Sequence, residues 1–309
     1  MWSPLVSMVL AATLSQGTGR ADTPPRSPSV LIIGDSHATS TFGKSLDLLL
    51  RSVDAEVTTV GSCGVSPDAF LRGLSASCGF LRIETGEPDW RVVKLNQAST
   101  PRLEELLGSA APTLTIVELG ANQIHSAWRN PAEASDDIAA LADTILASGS
   151  ACLWVGPPSG RDNVKPHAKV EYLYGLLEKS LQGRCKLVDS RPSALPFLDY
   201  ERLAPRSGDG RHWDAIGIEG QQAARRWALE VFKVAVPLLE RTRPAHDDGR
   251  VAVSAASSPE SSRRALDLRF RHELEVLEGS TDTVELAPAQ LPLAVPEERS
   301  ISRSVRAQL

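Results

Sequence analysis

Val30-Leu31-Ile32-Ile33-Gly34-Asp35-Ser36-His37 is an apolar run that ends abruptly in a glycine and three polar residues. A short apolar run bounded by Gly reads as a buried strand. A helix-like segment follows from about Ser40 to Arg51. Open α/β sheets hold their ligands at the carboxyl ends of such strands. Ser36 therefore stands where a strand-to-helix turn can present a nucleophile. Its own N–H, near a helix start, can face a developing oxyanion.

A serine hydroxyl needs a base, and the base needs an acidic orienter. Asp209-Gly210-Arg211-His212 supplies both. On a tight turn, an Asp three residues ahead of a His can reach one ring nitrogen and leave the other for Ser36. Asp35 is a poor choice for the acid, because successive side chains at a strand end point apart. It reads as a hydrogen-bond acceptor that holds the turn. Taken singly, Ser36 reads as a helix N-cap and His212 as a surface histidine. Their joint occurrence in an α/β-patterned chain points to catalysis.

These blocks resemble those of the SGNH (GDSL-like) hydrolases. The first block matches Gly34-Asp35-Ser36, the third matches Gly120-Ala121-Asn122, and the fifth matches Asp209 and His212. The second block needs a glycine in the loop after the second strand; Gly61 and Gly64 both qualify, and Gly64 is favoured. The resemblance covers roughly residues 29 to 236, and it departs at His37, where many members carry Leu. It implies a flavodoxin-like, five-stranded parallel sheet in the order 2-1-3-4-5, inside a three-layer α/β/α sandwich. It also implies an oxyanion hole formed by the N–H groups of Ser36 and Gly64 and the amide of Asn122. Trp213, His125 and His37 are expected to touch substrate, by their closeness in sequence to these blocks.

Alternating strand and helix signals agree with that architecture. Strands are expected at Val30–Ile33, Glu56–Val60, Thr113–Leu119, Ala151–Gly156 and Cys185–Val188, with an extra one at Trp90–Leu95. Residues 61–86 read as a long Gly/Ser/Cys-rich loop. Helices are expected near 102–107, 131–148, 167–182 and 218–236. The 309 residues then divide into a signal peptide (1–21), a Pro-rich linker (22–28), a hydrolase domain (29–240) and a disordered tail (241–309) with room for a small hairpin.

A net charge of −5 offers no argument for a nucleic-acid partner. The apolar run at Leu5–Leu14 is too short for a membrane span, so no anchor is expected after signal cleavage and the chain should be secreted or periplasmic. Four cysteines, Cys63, Cys78, Cys152 and Cys185, fit an oxidising compartment. Three pairings are open. Cys152 and Cys185 open consecutive strands, and parallel neighbours lie about 4.8 Å apart, while Cys63 and Cys78 flank one loop. That geometry favours Cys152–Cys185 and Cys63–Cys78. No cysteine or histidine spacing matches a metal site, so neither metal nor cofactor is expected.

The expected activity is hydrolysis of small acyl esters, O-acetyl groups of a polysaccharide or cell-wall glycan foremost, through an acyl-enzyme. A lipase or thioesterase, an acyltransferase to a sugar hydroxyl, and a non-catalytic carbohydrate-binding module are the alternatives.

Overall fold

The computed structural model describes residues 27–76, 79–83, 91–93 and 99–242. Seven strands form one sheet: β1 (Ser29–Gly34), β2 (Glu56–Ser62), β3 (Phe80–Ile83), β4 (Arg91–Val93), β5 (Leu114–Glu118), β6 (Ala151–Val155) and β7 (Lys186–Val188). Their order is β4-β3-β2-β1-β5-β6-β7. The run β2-β1-β5-β6-β7 is parallel throughout, which is the strand order 2-1-3-4-5 that the family resemblance implies.

The sheet is nevertheless wider than five strands. β3 pairs antiparallel with β2, with Val60 opposite Arg82, and β4 continues antiparallel on β3. The supposed loop 61–86 also contains α2 (Pro67–Arg72). Pro at the first helical turn and Gly73 in the left-handed region (φ 72°) start and stop that short helix.

Strand β1 is buried along its whole length because both faces are covered. Leu31 and Ile33 belong to the core on one face, together with residues of α2, α3 (Leu103–Ala110), α4 (Ile124–Arg129), α5 (Pro131–Ala147) and α6 (His167–Leu181). Ile32 points the opposite way. On that side lie α1 (Thr41–Arg51) and α8 (Ile218–Thr242), where the rings of Phe42 and Trp227 stack with centroids 3.8 Å apart. Helix α1 buries Phe42, Leu46, Leu49 and Leu50, the spacing of one helical face. Its buried Asp47 is answered by Arg51 and by the hydroxyl of Thr59 on β2. A short helix, α7 (Tyr200–Leu203), and a single turn at Trp213–Ile216 lie in the stretch between β7 and α8.

Cys152 and Cys185 form the expected disulfide, with a Cα–Cα distance of 4.6 Å. It joins the amino-terminal ends of β6 and β7, away from the carboxyl edge. The other expected pairing involves Cys78, which lies outside the described residues, as do residues 1–26 and the tail beyond Thr242. Among the described residues, no helix is long and apolar enough to cross a membrane.

Candidate active site

The turn after β1 is tight for a steric reason. A Cβ on Gly34 would lie 2.5 Å from the Ala38 side chain and 2.8 Å from the carbonyl of Glu118. The Asp35 N–H donates to that carbonyl at 3.1 Å, so the turn is fastened to β5. Ser36 follows, half-buried at the carboxyl edge. The Thr39 hydroxyl donates to the Ser36 carbonyl at 2.8 Å.

The distant loop Asp209–His212 comes to meet it. Asp209 Oδ1 accepts the N–H groups of Arg211 and His212, both at 2.8 Å. Its Oδ2 lies 2.5 Å from His212 Nδ1. Partial burial works against the Asp209 carboxylate, but the hydrogen bonds from the His212 ring and from both backbone N–H groups outweigh it, and its pKa falls far below the usual carboxylate range. An ionised Asp209 can only accept, so His212 carries its proton on Nδ1. Nε2 is left bare, 3.0 Å from Ser36 Oγ, and can take the hydroxyl proton.

Other contacts hold this loop in place. The Gly210 N–H donates to the Tyr200 hydroxyl at 2.9 Å, and the Gly210 carbonyl accepts from the Arg161 N–H at 2.9 Å. The Arg161 guanidinium donates to the carbonyls of Ala204 and Ser207. On the opposite flank, the Thr41 N–H at the start of α1 donates to Asp214 Oδ2 at 3.1 Å.

Asp35 is fully buried and holds the turn as an acceptor. Its Oδ1 takes the N–H of His37 at 2.9 Å and faces His37 Nδ1 at 3.0 Å, and its Oδ2 takes the Asn122 amide at 3.0 Å. Burial opposes the Asp35 charge, yet His37 and Lys165 together keep its pKa below normal. Asn122 Nδ2 also donates to the Val65 carbonyl at 3.1 Å. Both amide hydrogens therefore staple the Asn122 loop to the turn after β1 and to the loop after β2. Gly64 sits in that second loop with φ 75° and is exposed, whereas Gly61 lies within β2 and packs against Thr39.

Two expected substrate contacts are corrected by burial. Trp213 is 2% exposed and packs edge-on against Tyr200, with ring centroids 5.4 Å apart. His37 is also 2% exposed; its ring meets Asp35 and the edge of Trp227. Neither side chain has a face to offer a ligand. His125 is exposed on α4, with Nε2 3.3 Å from the Val164 carbonyl and Nδ1 3.2 Å from Lys169.

Two residues absent from the sequence reading complete the surroundings. Glu118, at the end of β5, is fully buried, and its carboxyl oxygens lack a hydrogen-bond partner. Burial and the Asp35 charge push its pKa well up, against the pull of Lys165. An acidic residue in an otherwise apolar strand was the available signal. Lys165 is 5% exposed and gave none, since a lone lysine reads as a solvated charge.

Asp35, His37 and Glu118 each bring a ligand-type atom within 4.8 Å of the others. The Asp35 oxygens are already engaged by His37 and Asn122, and the Lys165 charge acts on the same two carboxyl groups. The trio therefore reads as a buried hydrogen-bonding and charge cluster rather than a cation cradle.

The chain is similar to solved esterase structures. The psychrotrophic esterase EstA from Pseudoalteromonas sp. matches at 14% identity over 68% of this chain and 98% of its own, with a TM-score of 0.44. TesA matches at 22% identity over 69% and 99%, with a TM-score of 0.42. A variant of Axe2, an acetyl-xylooligosaccharide esterase from Geobacillus, matches at 13% identity over 66% and 94%, with a TM-score of 0.47. No protein-family model matches the chain, and no curated protein matches it. At these identities and scores the likenesses assign no residue and no substrate.

Proposed function

We propose that this chain is a serine ester hydrolase of the SGNH type, acting on small acyl esters through an acyl-enzyme. One observation carries the reading: an unbroken line of hydrogen bonds runs from Asp209 through His212 to a half-buried serine at the carboxyl edge of a parallel sheet. In this reading His212 Nε2 takes the proton of Ser36 Oγ as the oxygen attacks the ester carbonyl. Asp209 stabilises the imidazolium, which then returns the proton to the departing alcohol. Water repeats the sequence and frees the acid.

The N–H groups of Ser36 and Gly64 receive the oxyanion. Asn122 joins them by exchanging the Val65 carbonyl for the substrate oxygen while its second hydrogen stays on Asp35.

The substrate is proposed to be a short acyl ester, an O-acetyl group on a glycan before others. A long acyl chain needs a continuous apolar groove. The exposed large apolar side chains among the described residues are instead spread over several elements, including Leu48 on α1, Leu146 on α5 and the Trp128–Tyr172 pair on α4 and α6. The Cys152–Cys185 disulfide supports a secreted or periplasmic setting.

The test is an acyl-length series of p-nitrophenyl esters, run with acetate release from an O-acetylated polysaccharide. Highest kcat/KM at two carbons, with release abolished in Ser36→Ala, is the expected result. An optimum at long chains sinks the acetyl reading, and wild-type turnover by Ser36→Ala sinks the serine reading.

A further inference from the structure

Lys165 lies between β6 and α6, and its Nζ donates to the carbonyl of Arg211 at 3.4 Å. That carbonyl belongs to the peptide that carries the His212 N–H. A lysine this deeply buried is rare unless it is paired. Its stem is held in place, because a Cβ on Gly160 would lie 2.6 Å from Lys165 Cδ and 2.6 Å from the Gly210 carbonyl. The Lys165 N–H also donates to the Arg161 carbonyl at 2.7 Å, and the Arg161 N–H reaches Gly210. The lysine segment thus braces the His212 loop with both backbone and side chain.

Titratable groups from several elements act on Lys165. Asp35 follows β1, Glu118 ends β5, and Asp209 lies in the His212 loop; the Arg211 guanidinium opposes them. His37 feels the same ammonium, and its Nε2 lies 3.3 Å from the same Arg211 carbonyl. Burial is the larger influence and leaves the Lys165 pKa below its usual value, while Asp35 and Asp209 act the other way. One buried amino group therefore touches the His212 loop and acts electrostatically on Asp35.

We propose that Lys165 is a positioning residue for His212: its ammonium holds the Arg211 carbonyl in place and balances the carboxylates of Asp35 and Asp209. This rests on the serine-esterase reading. A misplacement on the ångström scale far from the reacting atoms can cost roughly 100-fold in rate.

The experiment compares Lys165→Met, which keeps the stem but neither donor nor charge, with Lys165→Arg, which keeps both. In Lys165→Met, kcat should fall roughly 10- to 100-fold while KM stays near the wild-type value. Lys165→Arg should return kcat toward wild type. The Nδ1–H proton of His212, followed by NMR, should exchange faster in Lys165→Met, and this readout needs no turnover. Wild-type kcat and proton exchange in Lys165→Met overturn the proposal. If that variant does not fold, Lys165→Gln is read by the same two measures. Ser36→Ala keeps the two ideas apart: normal turnover there rejects the esterase reading, while the exchange measurement still decides the role of Lys165.

Discussion

His212 Nε2 lies 3.0 Å from Ser36 Oγ, although 176 positions separate the two residues in sequence. Anchors on both sides maintain that distance. The serine turn is tied to β5 through Asp35 and Glu118, and the histidine loop is tied to Tyr200 and Arg161. The sheet brings the anchors together, so the pair is set without any ligand. Groups fixed in advance need no reorganisation during reaction.

The tautomer of His212 depends on Asp209. In Asp209→Asn the amide can present its NH2 to Nδ1 and move the ring proton to Nε2, facing Ser36. A loss of roughly 10⁴-fold in kcat with little change in KM is expected, read from steady-state kinetics at neutral pH. A loss below tenfold would mean that the ring is oriented by something other than this carboxylate.

Asn122 links the nucleophile turn to the Val65 loop. Removing the amide in Asn122→Ala should lower kcat by roughly 10²- to 10³-fold, the usual cost of one oxyanion donor. Asn122→Asp should do worse, because it places a carboxylate against Asp35 Oδ2, now 3.0 Å from the amide nitrogen. Equal activity in the two variants, or a change in KM alone, counts against an oxyanion role.

Much of this arrangement could be read from the sequence, and the failures have physical causes. β1, β5 and β6 announced themselves because a parallel strand buried on both faces is a nearly continuous apolar run. Ser36, Asp209 and His212 were legible because the residue types and the three-residue spacing constrain each other. β3 was missed because Phe80-Leu81-Arg82-Ile83 is short and lies in a stretch rich in Gly, Ser and Cys. His37 and Trp213 were misplaced for a different reason. Adjacency to Ser36 or His212 says nothing about direction, and both side chains turn inward. Lys165 depends on contacts across 46 residues, which no local pattern encodes.

Glu118 should leave a mark on stability. Its pKa is raised in the folded chain, so in a window beginning near 4.5 the unfolded chain has lost this proton while the folded chain keeps it. The folded state then binds more protons, and the stability contributed by the neutral acid is lost as pH rises through that window. Glu118→Gln keeps the shape without the titration. The Tm difference, variant minus wild type, should increase from pH 4.5 to pH 8 in differential scanning calorimetry. A flat or falling difference contradicts a raised Glu118 pKa.

The two cystine positions should separate stability from chemistry. Cys152 and Cys185 are 33 residues apart, so opening their bridge costs about 3 to 4 kcal/mol in the chain-entropy model. Cys152→Ser with Cys185→Ser should therefore lower Tm while kcat holds. Cys63 is itself disulfide-bonded and directly precedes Gly64. Cys63→Ser with Cys78→Ser should depress kcat more than the other pair. The reverse ordering shows that the Gly64 loop is held by its own packing.

The most direct test of the central claim is covalent. A fluorophosphonate reports an activated serine, and peptide mapping locates it. Incubation at neutral pH should give one adduct per chain on the peptide containing Ser36, much slower labelling in His212→Ala, and none in Ser36→Ala. An adduct on another residue, or equal labelling of wild type and Ser36→Ala, would contradict the assignment of Ser36 as the nucleophile.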